Sequence, residues 1–329
     1  MTTVRQAGAA DLARGTKRAA GSHRGRQLGT FAGLLALCLI LWAATPHFLT
    51  VSNLLNVLEQ TALNAIVAMG MTFVIISGGI DLSVGSVLAF AGIGLALALE
   101  HAVPAPAAIA IALAMGTGCG LLNGALITIG RLPPFIATLG MMSVARGAAL
   151  MLAEGRPISG FSDGFRAIAT ERVLAIPAPV LITIVIYAVA HFVLTRTVFG
   201  RVTYAIGGNE EAARLSGVPV RAYKTAVYGV AGLASAAAAV VLTARLNSAQ
   251  PTAGTMYELD AIAATVIGGS SLLGGEGSLT GTLIGALIMG VLRNGLNLLN
   301  VSSFLQQVVI GVVIIGAVLV DMSLKKRRR

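Results

Sequence analysis

Long apolar runs, each of about 18 to 25 residues, follow one another along the chain, with short polar or glycine-rich breaks between them. They fall at roughly 30–46, 54–77, 82–100, 105–129, 135–153, 178–195, 225–244, 260–274, 279–299 and 303–321. Neither strict alternation nor a polar helical face interrupts them, so the pattern is that of segments surrounded by lipid or by each other. Without water each run must satisfy its own backbone hydrogen bonds, which makes it a helix. The pattern predicts an all-α, polytopic integral membrane bundle of about ten transmembrane helices. The run at 260–274 is the shortest and is broken by Gly268, Gly269, Gly274 and Gly275.

Composition supports the class. The 329 residues are 56% hydrophobic and 11% charged, with a mean hydropathy of +0.86, too little charge for a soluble surface of this size. Forty glycines suit close helix packing in a membrane. Gly116, Gly120 and Gly124, and again Gly281 and Gly285, stand four apart and predict such contacts. Cys38 and Cys119 lie in apolar runs and are read as packing residues. Trp42 and Phe48, near span ends, are read as interface anchors. His101 and His191 stand alone, and no metal site is expected.

The net charge of +10 changes the picture only through its distribution. With the N-terminus in the cytoplasm, the inner segments collect 17 Lys and Arg and the outer segments 4, namely Arg156, Arg166, Arg172 and Arg245. That is the asymmetry of positive loops kept inside, and it places both termini in the cytoplasm with an even number of spans. Residues 1–29 then form a basic cytoplasmic tail expected to be disordered, 30–321 the transmembrane domain, and 322–329 a second basic cytoplasmic tail. The charge is accounted for by topology, so lipid is the expected surroundings and nucleic acid is not a partner.

Two connections are long: an outer one at about 154–177 and an inner one at about 196–224 with a net charge of +3. In the inner one, Gly207 and Gly208 read as a flexible approach to a short helix. Asn209 is a good N-cap, Glu210 and Glu211 suit a positive first turn, and Ala212 and Ala213 propagate. Beyond Ser216, Gly217 can take the left-handed position and Pro219 stops the helix. Two turns alone are marginal, so membrane surface or a partner must hold them.

This loop resembles the coupling loop of ABC importer permeases, in the form found in the ribose/xylose/arabinose/galactose permease family. GMTFVIISGGIDLSVGSV (70–87), NGALITIGRLPPFIATLG (123–140), YELDAIAATVIGGSSLLGGEGSLTGTLIGALIMG (257–290) and NGLNLL (294–299) are similar to the same family in the same order. The resemblance extends over about 35–321. It implies an ATPase-coupling helix at 209–217, with Gly207, Gly208, Asn209, Glu210, Glu211, Ala212, Ala213, Ser216 and Gly217 as its residues. It also implies a cytoplasmic ABC ATPase subunit that carries the ATP and magnesium, an extracytoplasmic sugar-binding protein that meets the outer loops 154–177 and 246–259, and a second permease copy, identical or paralogous. The chain has no G-x-x-x-x-G-K-[ST] loop and is expected to bind no cofactor itself. GGEG (274–277) reads as a helix break.

The substrate path is less legible. In SGGIDLSVGS (77–86), Gly78 and Gly79 break one span and Asp81 caps the next or stands near the path. VIGGSSLLGGEG (266–277) repeats the Gly-Gly break, a hint of related halves. Glu59, Arg146 and Arg293 are charges inside spans, Glu59 being the one deeply placed acid. Gln60, Asn294 and Asn297 are amides able to give and accept hydrogen bonds with sugar hydroxyls. Glu59, Gln60, Asp81, Asn294 and Asn297 are the path candidates. The expected function is the permease subunit of a monosaccharide importer, ribose-type, in the bacterial inner membrane. Nucleoside or signalling-sugar permeases are the near alternatives. An ion-coupled secondary transporter would rely on Glu59, and a membrane enzyme lacks any acid–base or metal cluster in the sequence.

Overall fold

A computed structural model describes residues 28–326. Of the expected tails, 1–27 and 327–329 lie outside these residues; Leu28 and Gly29 open the first helix, and 322–326 continue the last.

Among the described residues the long helices are α1 (Leu28–Ala44), α2 (Val51–Ile76), α3 (Val84–Glu100), α4 (Ala105–Thr128), α5 (Pro134–Leu152) and α7 (Ala178–Arg196). They are followed by α10 (Val220–Leu246), α12 (Leu279–Leu298) and α13 (Ser303–Lys326). Short helices α6 (Asp163–Thr170), α8 (Val198–Gly208), α9 (Glu210–Leu215) and α11 (Tyr257–Ile267) fill the connections. Six helices, α2, α4, α5, α7, α10 and α12, are long and apolar enough to cross a membrane, and α1, α3 and α13 contain shorter apolar helices. The chain is a multi-pass helical membrane protein.

α2 and α10 form the centre. From Ala65 to Ile76 α2 is apolar but for Thr72 and buried at every position, as expected of a helix segment enclosed by other helices. α4 lies against α10 along a glycine seam: Gly116 meets Gly232, Gly120 meets the Tyr228 carbonyl, and Gly124 meets Thr225, each close enough that a methyl group would clash with backbone. Gly281 and Gly285 likewise press on Gly268 and Ala264 of the α11 segment. Small residues on both sides let dispersion contacts replace the hydrophobic drive that lipid cannot provide. Phe48 departs from its expected place. It is 1% exposed, packed with Leu41, Val57 and Val291, whereas Trp42 is exposed.

The run 260–274 does not form a full-length spanning helix; the segment from Asn247, beside the β1–β4 pair, to Gly274, beside Gly207, crosses the bundle as non-helical chain followed by a short helix. α11 has 11 residues, about 16 Å at 1.5 Å per residue, and ends at Gly268. Gly269, Gly274 and Gly275 then take positive φ, and Ser271 donates to the Glu276 carbonyl, closing a turn before α12. The segment before α11 is also not the surface loop expected at 246–259. Gly92 of α3 contacts Thr243 of α10, but Gly85, about 10 Å along the same helix, packs backbone to backbone on Gly254. The chain therefore turns back into the bundle after Leu246, and α11 starts inside it.

The connection 154–177 carries α6 and two minimal strand pairs. β1 (Ile158–Ser159) pairs antiparallel with β4 (Ser248–Ala249), Ile158 opposite Ala249, and β2 (Arg172–Val173) pairs with β3 (Ile176–Pro177). Asn247, in the left-handed conformation, accepts from the Phe161 N–H through its side chain and from Gly160 through its carbonyl.

Candidate functional site

The α8–α9 unit begins at Thr197, whose hydroxyl caps α8 at Gly200. α8 was not expected; the sequence was read as loop up to Asn209. Consequently Gly207 and Gly208 are not a flexible approach but the last turn of α8. Phe199 stacks between Phe73 of α2 and Tyr223 of α10, at ring-centroid distances of 6.0 and 5.9 Å. The Tyr204 hydroxyl donates to the Gly277 carbonyl at 2.8 Å. Burial pushes the Tyr204 phenol up to about 12, so it remains a neutral donor.

Asn209 caps α9, its side-chain oxygen accepting from Ala212 N at 2.9 Å. The other end closes as a Schellman motif. Gly217, at φ +83°, donates to the Arg214 carbonyl, and Val218 donates to that of Ala213. Ser216 donates its hydroxyl to the Ala212 carbonyl. Ala213 alone of this helix is buried, against Ile206 and Val220. Glu210 binds Lys224 of α10 at 2.7 Å. Glu211 and Arg214 pair on the exposed face; the hydrogen bond from Arg214 holds the Glu211 carboxyl below its usual range. Leu215, absent from the candidate residues, is 78% exposed. α9 is thus anchored on one side through Ala213 and Glu210 and offers Ala212, Leu215 and the Glu211–Arg214 pair on the other.

Three glycine breaks meet directly behind it. The carbonyl oxygen of Ile76, at the end of α2, accepts from Gly275 N at 2.9 Å and occupies the space where a Gly207 side chain would project. Gly274 rests on the Gly207 carbonyl and on Gly78, and Gly275 rests on Gly208. The two similar motifs 77–79 and 268–275, remote in sequence, are therefore in contact with each other and with the base of α9.

The path candidates separate. Asp81 is 1% exposed and does not cap α3; Ser83 holds that position. The carboxylate accepts from the Ser83 N–H at 2.8 Å and its hydroxyl at 2.6 Å, and Asn123 donates to that hydroxyl. Asn294 is buried in a reciprocal amide pair with Asn53, at 3.0 and 2.8 Å. Glu59 lies 3.7 Å from Arg245, and Gln60 is exposed. Asn297 lines a polar cavity between α11, α12 and α13. Glu59 is not the one deep acid, because Asp260, read as the outer end of a span, is 3% exposed and bound by Arg293 at 2.7 Å. Arg146 donates to the carbonyls of Pro251 and Ala253 at 2.6 and 2.8 Å and so fixes the re-entrant segment.

Residues 53–318 match the family described as "Branched-chain amino acid transport system / permease component". The chain is similar to the ribose import permease protein of Bacillus subtilis (strain 168), with 50% identity over 90% of this chain and 92% of that one. It is 48% identical to the ribose import permease protein of Haemophilus influenzae (strain ATCC 51907 / DSM 11121 / KW20 / Rd), over 91% and 94%. It is 38% identical to a D-allose transport system permease protein of Escherichia coli (strain K12), over 91% and 92%. No solved structure matches it. The resemblance drawn from the motifs is borne out by these relatives.

Proposed function

The chain belongs to the branched-chain amino acid transport system / permease component family, and from that premise we propose that it is the membrane-spanning subunit of an ATP-driven importer for a monosaccharide, ribose-type, in a bacterial inner membrane. The observation that carries the reading is α9, a doubly capped helix whose outer face, Leu215 included, is left exposed among the described residues. A six-residue helix does not persist on propensity alone. An exposed leucine beside the Glu211–Arg214 ion pair suits the groove of a cytoplasmic ATPase subunit.

In this reading both termini are cytoplasmic, α9 faces the cytoplasm, and α6 with the β1–β4 pair faces outward toward a sugar-binding protein. The chain works as a dimer with itself or a paralogue. ATP and magnesium belong to the ATPase, and this chain performs no chemistry. Closure of the ATPase displaces α9. Gly207 and Gly208 stand backbone to backbone with Gly274, Gly275 and Ile76, so the displacement reaches the end of α2 and the α11–α12 turn without side-chain slack. That transmits a rigid-body shift to the cavity between the two permease copies and gives alternating access.

An ion-coupled transporter would need an uncommitted intramembrane carboxylate. Glu59 faces Arg245 at 3.7 Å, and Asp81 and Asp260 are held by specific donors, which favours the ATP-driven reading. The test is purification from native membranes. Recovery of a nucleotide-hydrolysing subunit, lost on Leu215→Glu, supports the proposal; a chain that transports sugar without such a companion contradicts it.

A further inference from the structure

Between α11, α12 and α13 lies a cavity of about 420 Å³, within the roughly 300–1,000 Å³ range of small-molecule sites. Its polar lining comes from Thr255, Asp260, Arg293, Asn297, Gln306 and Gln307. Asn297 is in the last turn of α12 and Ser303, also lining it, begins α13, so the cavity lies at the end of the bundle opposite α9.

Its chemistry is specific. Arg293 donates through one nitrogen to both Asp260 oxygens, at 3.0 and 2.7 Å, which cancels the two charges locally. The Arg293 side chain remains 37% exposed, with further N–H groups beyond that nitrogen. Gln306 donates to the Asn297 side-chain oxygen at 2.8 Å and to the Val301 carbonyl at 2.9 Å. Those bonds fix both amide planes, and they use neither the Asn297 NH₂ nor the Gln306 oxygen. Leu259, Ile310 and Ile314 supply an apolar wall. A neutral space with oriented donors and acceptors on one side and aliphatic groups on the other matches a ligand with a hydroxyl edge and a C–H face. An ion would meet cancelled charge, and a hydrocarbon would leave the amides unsatisfied.

We infer that this cavity is a sugar-binding station of the permease, in which Arg293, Asn297 and Gln306 read the hydroxyls of a neutral monosaccharide. The inference rests on the importer reading and names the residues that would give the permease its own selectivity, separate from that of a binding protein.

The test uses the complete transporter, with its ATPase and binding protein, in proteoliposomes. Uptake of labelled D-ribose, D-allose and L-arabinose is measured beside ATP hydrolysis stimulated by loaded binding protein, for wild type, Asn297→Ala and Gln306→Met. The expected result is a loss of uptake of about ten-fold for the preferred sugar, the scale of one or two neutral hydrogen bonds. The three sugars are expected to change rank while stimulated hydrolysis stays near wild type. Unchanged uptake, or an equal fall for all three sugars, would overturn the site while leaving the importer reading intact. A wild-type transporter that moved none of them with ATP would overturn the importer reading and the site with it.

Discussion

Gly207 and Ile76 touch through their backbones: a Cβ on Gly207 would overlap the Ile76 carbonyl oxygen. Its neighbour Gly208 has open space where a Cβ would go, with nothing within 4 Å. Gly207→Ala must therefore push α8 away from the end of α2, while Gly208→Ala is accommodated. The expected result for Gly207→Ala is a membrane-inserted protein destabilised by about 1–3 kcal/mol, the usual cost of overpacking, with uptake largely lost. Gly208→Ala should retain wild-type uptake. Thermal melting in detergent and vesicle uptake, read together, decide; equal uptake by the two variants would remove the glycine junction from the transmission route.

The C-terminal cap of α9 gives a second contrast. Gly217 is at φ +83°, where a β-branched side chain is strained by about 1–2 kcal/mol. Gly217→Val should therefore unwind the cap, and Glu210→Lys should repel Lys224, with which Glu210 now pairs at 2.7 Å. Both variants are expected to insert normally, continue to hydrolyse ATP in complex, and import poorly. Uptake at the wild-type rate, at equal membrane abundance, would refute the assignment of α9.

Asp260 and Arg293 form a third test. Asp260 is buried and Arg293 is its ion-pair partner, so Arg293→Leu leaves a carboxylate without its counter-charge. The cost is expected near 3 kcal/mol, the low end for a broken buried pair because Arg293 reaches the cavity. Asp260→Asn combined with the same Arg293→Leu should recover most of it. Melting temperatures of the single and double variants measure this directly, and additive losses would show that the pair does not act as a unit.

Orientation is tested by thiol labelling in a background with Cys38→Ser and Cys119→Ser. Ser162 and Ser216 are both exposed. Ser162→Cys should react with an impermeant reagent in intact cells, and Ser216→Cys only after permeabilisation. The reverse pattern would invert the topology.

These variants follow from contacts of differing legibility. Length and apolarity made α2, α4, α5, α7, α10 and α12 readable, because crossing a hydrocarbon core demands both. The spacing of Gly116, Gly120 and Gly124 announced the seam with α10, since only small residues permit that approach. Asn209 and Gly217 marked α9 through cap chemistry, which is local. α11 was misjudged because its apolar residues continue into Leu272 and Leu273, and hydropathy does not register that Gly269, Gly274 and Gly275 turn the chain. Burial of Asp81 and Asp260 depends on partners 42 and 33 residues away, Asn123 by way of Ser83 and Arg293 directly, and no local pattern reveals such pairs. α8 was missed for a related reason. Two glycines in its last turn argue against a helix, and tertiary contact with Ile76 outweighs that propensity.

The central claim is that the chain moves sugar with work delivered by another subunit through α9. Its most direct measurement is labelled D-ribose uptake by the reconstituted complex, with ATP supplied and ion gradients collapsed by ionophores, against gradients imposed without ATP. Accumulation in the first condition and none in the second is the predicted result. Accumulation driven by a gradient alone would contradict it.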